Sequence, residues 1–180
     1  MPKSLLPDIR FKSAYQLPFE VIRQKGIKIL LFDRDNTLLS FYESFIDKKD
    51  DLFKLKNEVT KEGFKMILAS NGQKRRIEPF ANKLGVKAYS MLMKPFGFKI
   101  KRIAKKEGVK PEEILLIGDQ VMTDLKAAKK AHIYFGLVDK LTDKEPFFTK
   151  INRHFEKKYQ QEIALMPYDI FVEDLNGREK

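Results

Sequence analysis

The sequence has no cysteine, no tryptophan and only two histidines among 180 residues. It also has no apolar run near the ~18 residues that a membrane-spanning helix requires. Without cysteine there is no disulfide, no thiolate metal site and no cysteine nucleophile. His132 and His154 are too few and too far apart to form a histidine metal site, and structural roles are expected for both. The stretch MPKSLLPDIRFKSAYQLPF carries charges and three prolines where a secretory signal would need an unbroken apolar segment. A cytoplasmic location is therefore expected, with peripheral contact at the inner face of the membrane left open. No GxGxxG follows the first strand pattern, which argues against a dinucleotide-binding enzyme.

What the sequence does have is positive charge. Lys and Arg number 36 against 25 Asp and Glu, a formal charge of +11, and 28 of the basic residues are lysine. Such a balance invites a polyanionic partner: nucleic acid, an anionic membrane surface or a phosphorylated substrate. The bland alternative is a solvated lysine-rich face that reflects coding composition. With 43% apolar and 34% charged residues, the chain reads as one globular domain large enough to bury a substantial core.

Short apolar runs alternate with helical patterns. IKILLF (27–32), FKMILAS (64–70), VKAYS (86–90), EILLIG (113–118) and HIYFGLV (132–138) read as strands covered on both faces. Leu52, Leu55 and Val59 share one helical face, as do Ile77, Phe80, Ala81 and Leu84, and Ile100, Ile103 and Ala104. Gly63, Gly85 and Gly108 follow these segments as stop signals. The alternation predicts an α/β fold: a parallel sheet of about five strands with helices on both faces. Residues 1–26 form a lead-in with a short helix over 18–25, and residues 27–140 form the core. Residues 141–166 form a C-terminal region whose helix, 147–165, carries Phe148, Ile151, Phe155 and Tyr159 at helical spacing. Residues 167–180 are expected to be a polar, frayed tail.

The polar residues fall on the strand ends. Asp33 and Asp35 follow the first strand, Ser70 and Asn71 close the second, Lys94 follows the third, and Asp119 and Asp124 follow the fourth. Ligands in open α/β sheets bind beyond the carboxyl ends of the strands, so four loops deliver these groups to one edge. Carboxylates held together repel, and burial raises their pKa values unless a cation neutralises them. Mg²⁺ accepts such hard oxygen ligands, and it can hold a phosphate oxygen while charge develops. One acid can attack phosphorus to give an aspartyl-phosphate. The other, two residues along an extended segment, faces the same side and can serve as proton donor and acceptor.

The set DRDNTL, SNG, KP and GDQVMTD, in this order, resembles the haloacid dehalogenase superfamily of aspartate-nucleophile phosphatases. That resemblance implies a three-layer Rossmann-like sandwich. It makes Asp33 the nucleophile and a Mg²⁺ ligand, and Asp35 the general acid/base that binds the metal through its backbone carbonyl. Thr37 orients the loop, Ser70 and Asn71 attend the phosphate, and Lys94 neutralises nucleophile and phosphate. Asp119 completes the magnesium shell, and Asp124 assists through water or by orienting Lys94. Only about thirty residues separate the first two core strands, and a helix and strand fill the span from Asn71 to Lys94. This leaves no room for a cap domain and resembles subfamily III.

LLPD, GIKILLFDRDNTL, KPEEILLIGDQVMTD and FFTKINRHFEKKY further resemble the YqeG group, related to phosphatidylglycerophosphate phosphatases of phospholipid metabolism. That resemblance implies an anionic lipid substrate. Phe96 and Phe98 follow Lys94, and Phe98 or Phe147, if exposed, could insert at a membrane; a core position is the more ordinary expectation for each of these phenylalanines. Arg34 stands where an apolar residue is usual and is a candidate substrate contact, and Arg75 and Arg76 are candidate phosphate clamps. The helix after Asp124 lacks the glycines expected there. Alternatives remain: a phosphatase of nucleic-acid ends or small phosphorylated metabolites, and a ribosome-associated binding protein that retains the fold. A receiver domain is disfavoured because its phosphoacceptor follows a middle strand. Relatives with a Cys/His zinc loop are ruled out by the lack of cysteine.

Overall fold

The computed structural model describes residues 5–176. Six strands form one parallel sheet: β1 (Ile9–Phe11), β2 (Ile29–Phe32), β3 (Lys65–Ala69), β4 (Lys87–Tyr89), β5 (Ile114–Gly118) and β6 (Tyr134–Val138). Their spatial order is β1-β6-β5-β2-β3-β4. The chain winds outward from β2 through β3 to β4, then crosses back to β5 on the other side of β2. This reversal makes the carboxyl end of β2, next to β5, the topological switch point where such sheets open a crevice.

All four residues of β2 are buried, and successive side chains serve opposite faces. Leu30 and Phe32 pack with α1 (Phe19–Gln24), α2 (Lys49–Lys61) and α3 (Lys74–Leu84). Ile29 and Leu31 pack on the other face with α4 (Phe98–Glu107) and α5 (Lys126–Ala131), joined by Ile163 from the long α6 (Phe147–Ala164). The helix faces anticipated from periodicity are the buried ones: Leu52, Leu55 and Val59 on α2, Ile77, Phe80, Ala81 and Leu84 on α3, and Ile100, Ile103 and Ala104 on α4. Between β2 and β3 lie only a 3₁₀ turn (Ile46–Lys48) and α2, and between β3 and β4 only α3, so neither connection holds a further domain.

Two expectations need correction. The lead-in holds a sixth strand, β1, which lies parallel to β6 at the sheet edge. It escapes a periodicity search because it has only three residues, Ile-Arg-Phe. Gly136 on β6 makes the pairing fit, since a β-carbon there would lie 2.4 Å from the Phe11 ring. The C-terminal stretch is not simply a polar tail. Phe171 is fully buried against Tyr134, and α7 (Val172–Asn176) follows it. The Asp169 and Val172 N–H groups donate to the carbonyls of Arg10 and Asp8 and stitch this stretch along β1. Residues 177–180 of the expected tail lie outside the described residues.

Glu107 ties the opposite edge together, accepting hydrogen bonds from Lys65 on β3 (2.6 Å), and from Lys87 (2.5 Å) and Tyr89 (2.6 Å) on β4. Burial works against its charge, but these three donors outweigh it and hold its pKa down at about 2. A depressed folded-state pKa means the stabilisation is complete above the ordinary value of 4.5 and is lost as the pH falls toward about 2. Glu107→Gln is expected to lower the pH 7 melting temperature by about 2–4 °C, the shift for on the order of 1 kcal/mol in a chain of this size. Thermal melts of both proteins between pH 7 and pH 2 should show that deficit shrinking as the pH falls.

Candidate active site

The strand register brings the motif residues together. Phe32 lies opposite Ile117 in the β2–β5 pairing, and the Asp33 N–H extends that ladder to the Ile117 carbonyl (2.9 Å). On the other side of β2, Phe32 pairs with Leu68, and the Ser70 N–H continues the β3–β4 ladder to the Tyr89 carbonyl (3.0 Å). Asp33 therefore stands level with Ala69 and Gly118, and Ser70 and Asp119 follow one residue farther along the neighbouring strands. A π-helical turn (Val121–Leu125) then carries Asp124 back over the end of β5, a backbone form often found at functional sites. Gly118 makes that return fit: a β-carbon there would come within 2.6 Å of Asp124 Oδ2.

Lys94 occupies the centre. Its ammonium is 2.6 Å from Asp33 Oδ1, 2.6 Å from Asp124 Oδ1 and 3.0 Å from the Ala69 carbonyl, so all three of its donors are used. Asn71 fixes the backbone that carries it, accepting from the Lys94 N–H (2.7 Å) and donating to its carbonyl (3.0 Å). Ser70 Oγ accepts from the Gly72 N–H (3.1 Å) and shapes the same loop. A cavity of about 200 Å³ opens over this group, lined by Asp33, Asp35, Ser70, Asn71, Lys94 and Asp124 together with residues that include Phe41, Gln120, Thr149 and Asn152.

Asp33, Asp119 and Asp124 each offer an oxygen within 4.8 Å of the others. Burial pushes the Asp33 carboxyl up to about 7; Lys94 pulls it the other way, while Asp124 and Asp35 add repulsion. Burial likewise pushes Asp119 up to about 8 against the attraction of Arg153. Burial disfavours the charge on Lys94, yet Asp124 and Asp33 overcome it and hold the ammonium above its ordinary pKa. These directions describe a buried site short of positive charge. Three hard oxygen donors in such a place fit a divalent cation.

The other expected site residues lie nearby but are engaged differently. Asp35 lines the cavity, and its Oδ1 accepts from Arg34 (2.5 Å) and from Arg76. Its Oδ2 has no hydrogen-bond partner among the described residues. Arg34, a candidate substrate contact, does not line the cavity. Its guanidinium is buried, lies 5.2 Å over the Phe80 ring and braces Asp35 from behind. The Thr37 hydroxyl donates to Asp119 Oδ1 at 3.4 Å and so links the first and fourth motif loops. Arg76 reaches Asp35 but does not line the cavity.

The sequence reading missed the wall formed by α6. The apolar spacing of Phe148, Ile151, Phe155 and Tyr159 implied a buried face, but Ile151 and Phe155 are exposed, and the Phe148 side chain lies outside the described residues. The inward stripe is polar instead: Thr149, Asn152, Arg153 and Glu156, at i, i+3, i+4 and i+7. That polar i, i+3, i+4, i+7 spacing is the signal in the sequence that marks this face.

The fold and the acidic crevice at its switch point define a parallel α/β protein with a candidate cation-dependent site. Comparison with known proteins shows what the chain is similar to. A model of the haloacid dehalogenase-like hydrolases matches residues 48–132, a span that carries Ser70, Asn71, Lys94, Asp119 and Asp124. The chain is 27% identical over 158 residues to a protein named probable phosphatase YqeG from Bacillus subtilis (strain 168), covering 88% of this chain and 91% of that one. A hypothetical protein from Xanthomonas campestris superposes with a TM-score of 0.50 at 15% identity, covering 77% of this chain and 78% of that one. An uncharacterised Listeria monocytogenes serotype 4b protein gives the same score and identity over 67% of this chain and 85% of its own. Over residues 48–132 the chain is thus similar to the haloacid dehalogenase-like hydrolases, and over most of its length to a probable phosphatase.

The contact between Gly118 and Asp124 gives a test that touches no reactive group. Gly118→Ala should push Asp124 off Lys94 by a good part of an ångström and lower kcat by about 10²-fold, the scale of such a misplacement. Steady-state assays alongside circular dichroism check it.

Proposed function

We propose that the protein is a Mg²⁺-dependent phosphomonoesterase that works through an aspartyl-phosphate on Asp33, with phosphatidylglycerophosphate as its leading substrate. The observation that carries the reading is Lys94, buried between Asp33 and Asp124 at the floor of a cavity that also presents Ser70 and Asp35. The similarity to a probable phosphatase supports the reaction class.

In this reading Asp33 attacks phosphorus, and the bond to the ester oxygen breaks. Asp35, held by Arg34 and Arg76 with Oδ2 unengaged, gives its proton to the departing oxygen. Water then attacks the aspartyl-phosphate, Asp35 takes the proton back, and inorganic phosphate leaves with Asp33 restored. Lys94 offsets charge on the phosphoryl oxygens throughout, and Ser70 with the neighbouring backbone N–H groups positions them. Magnesium held by Asp33, Asp119 and Asp124 would supply Lewis-acid neutralisation of the phosphate.

Substrate size and surface character support a lipid. The cavity, about 200 Å³, is small beside a diacyl lipid, so the acyl chains of such a substrate would stay outside. The segment around Lys94 exposes large apolar side chains: Met91 (53%), Met93 (51%), Phe96 (51%) and Phe98 (45%). A core position was the more ordinary expectation for either phenylalanine; both are half-exposed, and Phe147's side chain lies outside the described residues. Cations stand among them, with Lys130 5.2 Å over the Phe96 ring and Arg102 6.0 Å over Phe98. Each basic residue near an anionic bilayer contributes roughly 1 kcal/mol, and exposed apolar side chains beside it can insert at the boundary between headgroups and acyl chains. Among the described residues no helix is long and apolar enough to cross a membrane.

Asp33→Asn should abolish phosphate release with the fold intact, and Asp35→Asn should slow it by about 10²–10⁴-fold. EDTA should stop the wild type, and added Mg²⁺ should restore it; full activity in EDTA would overturn the metal-dependent scheme. The substrate reading is tested by phosphate release from phosphatidylglycerophosphate vesicles against a 5′-phosphorylated oligonucleotide and small sugar phosphates. Preference for either of the latter would replace the lipid. Phe96→Ser with Phe98→Ser should impair release from vesicles while leaving p-nitrophenyl phosphate turnover unchanged.

A further inference from the structure

Arg153 on α6 reaches the acidic cluster from the C-terminal side, and every one of its five N–H groups is engaged. Nη1 donates to the Asp119 carbonyl (2.6 Å) and to Glu156 Oε2 (3.0 Å). Nη2 donates to Asp119 Oδ2 and to Glu145 Oε1 (2.8 Å), and Nε to Glu145 Oε1 (3.1 Å). A saturated fork has nothing left to offer a substrate. What it does is grip Asp119 at both its main-chain oxygen and one carboxylate oxygen, which fixes the side chain about its rotatable bonds. Oδ1 then faces Thr37 rather than the guanidinium.

The grip is itself anchored. Glu145 also accepts from Asn36 Nδ2 (2.8 Å), and Asn36 exchanges hydrogen bonds with Thr142 through its amide (3.0 Å each). Glu156 Oε1 accepts from the Met122 N–H (2.9 Å) in the turn that delivers Asp124. A continuous, largely buried polar network thus joins the first motif loop, the fourth motif loop and the C-terminal segment. Partners that hold a ligating carboxylate or imidazole typically tune metal affinity through its orientation.

We propose that Arg153 is a positioning residue for cation binding: its fork locks Asp119 so that Oδ1 joins oxygens of Asp33 and Asp124 in a preformed divalent-metal site. The proposal rests on Asp119 serving as a cation ligand. Its alternative is a purely structural ion pair, or a built-in cation that competes with the metal. The three differ in sign: locking favours metal binding, a structural pair leaves it unchanged, and competition opposes it.

The test is calorimetric titration of the purified, full-length wild type, Arg153→Lys and Arg153→Met with Mn²⁺ and with Mg²⁺, with thermal melts of each. The dissociation constant should rise by about 10–100-fold in both variants. Lysine should not rescue, because a single ammonium cannot reproduce the five-donor fork. Turnover should recover toward wild type when Mn²⁺ is raised to saturation. Unchanged or tighter metal binding in either folded variant overturns the proposal while leaving the phosphatase reading intact. If Arg153→Met does not fold, the lysine variant decides alone. Failure of the wild type to bind either metal overturns both.

Discussion

The site depends on keeping three carboxylates together where water is largely excluded. Asp33, Asp119 and Asp124 are each almost fully buried, and an isolated buried carboxylate would shed its charge rather than stay ionised. Two internal cations meet that cost in part. Lys94 spans Asp33 and Asp124, while Arg153 takes Asp119. Three negative groups against two positive ones leave the cluster short by one charge before Glu145 and Glu156 are considered; burial raises the pKa values of Asp33 and Asp119, and repulsion from neighbouring acids adds to it. A divalent ion is the natural complement of such an imbalance.

Topology makes the crowding achievable without long loops. Because β2 lies between β3 and β5, residues one step past the ends of adjacent strands are neighbours wherever the registers agree, as Phe32 does with both Leu68 and Ile117. The sheet core holds these strands rigidly through apolar packing on both faces, so the polar edge inherits its precision from the hydrophobic interior. The connections after β2 and β3 contain no added domain. The cavity wall is completed instead by Phe41 from the connection after β2 and by Thr149 and Asn152 of α6.

Much of this was legible in the chain, for identifiable reasons. Five strands announced themselves as continuous apolar runs because both of their faces are covered, and the acids stood out because they interrupt those runs at the same end. β1 did not, since three residues with Arg10 in the middle carry no periodicity, and its fit depends on Gly136 more than a hundred residues away. Arg34 shows a related limit: its place in sequence between two acids says nothing of the Phe80 ring that receives it. The burial of Phe171 likewise depends on Tyr134, a partner that local sequence cannot reveal.

Arg153 and its helix expose a deeper limit of pattern reading. A helix is ordinarily assigned its inner face by following the apolar stripe, on the premise that the surface it packs against is oil-like. The surface beneath α6 at this point is a cluster of carboxylates and main-chain carbonyls, and burying Ile151 or Phe155 against it would strand those oxygens without donors. Charge complementarity therefore outweighs hydrophobic burial, and the helix turns Arg153, Thr149 and Asn152 inward, with Ile151 and Phe155 left outside. Farther along, where α6 runs past the α4–α5 layer, Ile163 is buried and the ordinary rule returns. A single helix thus obeys two packing laws along its length, and the change from one to the other marks where the protein's core gives way to its chemistry.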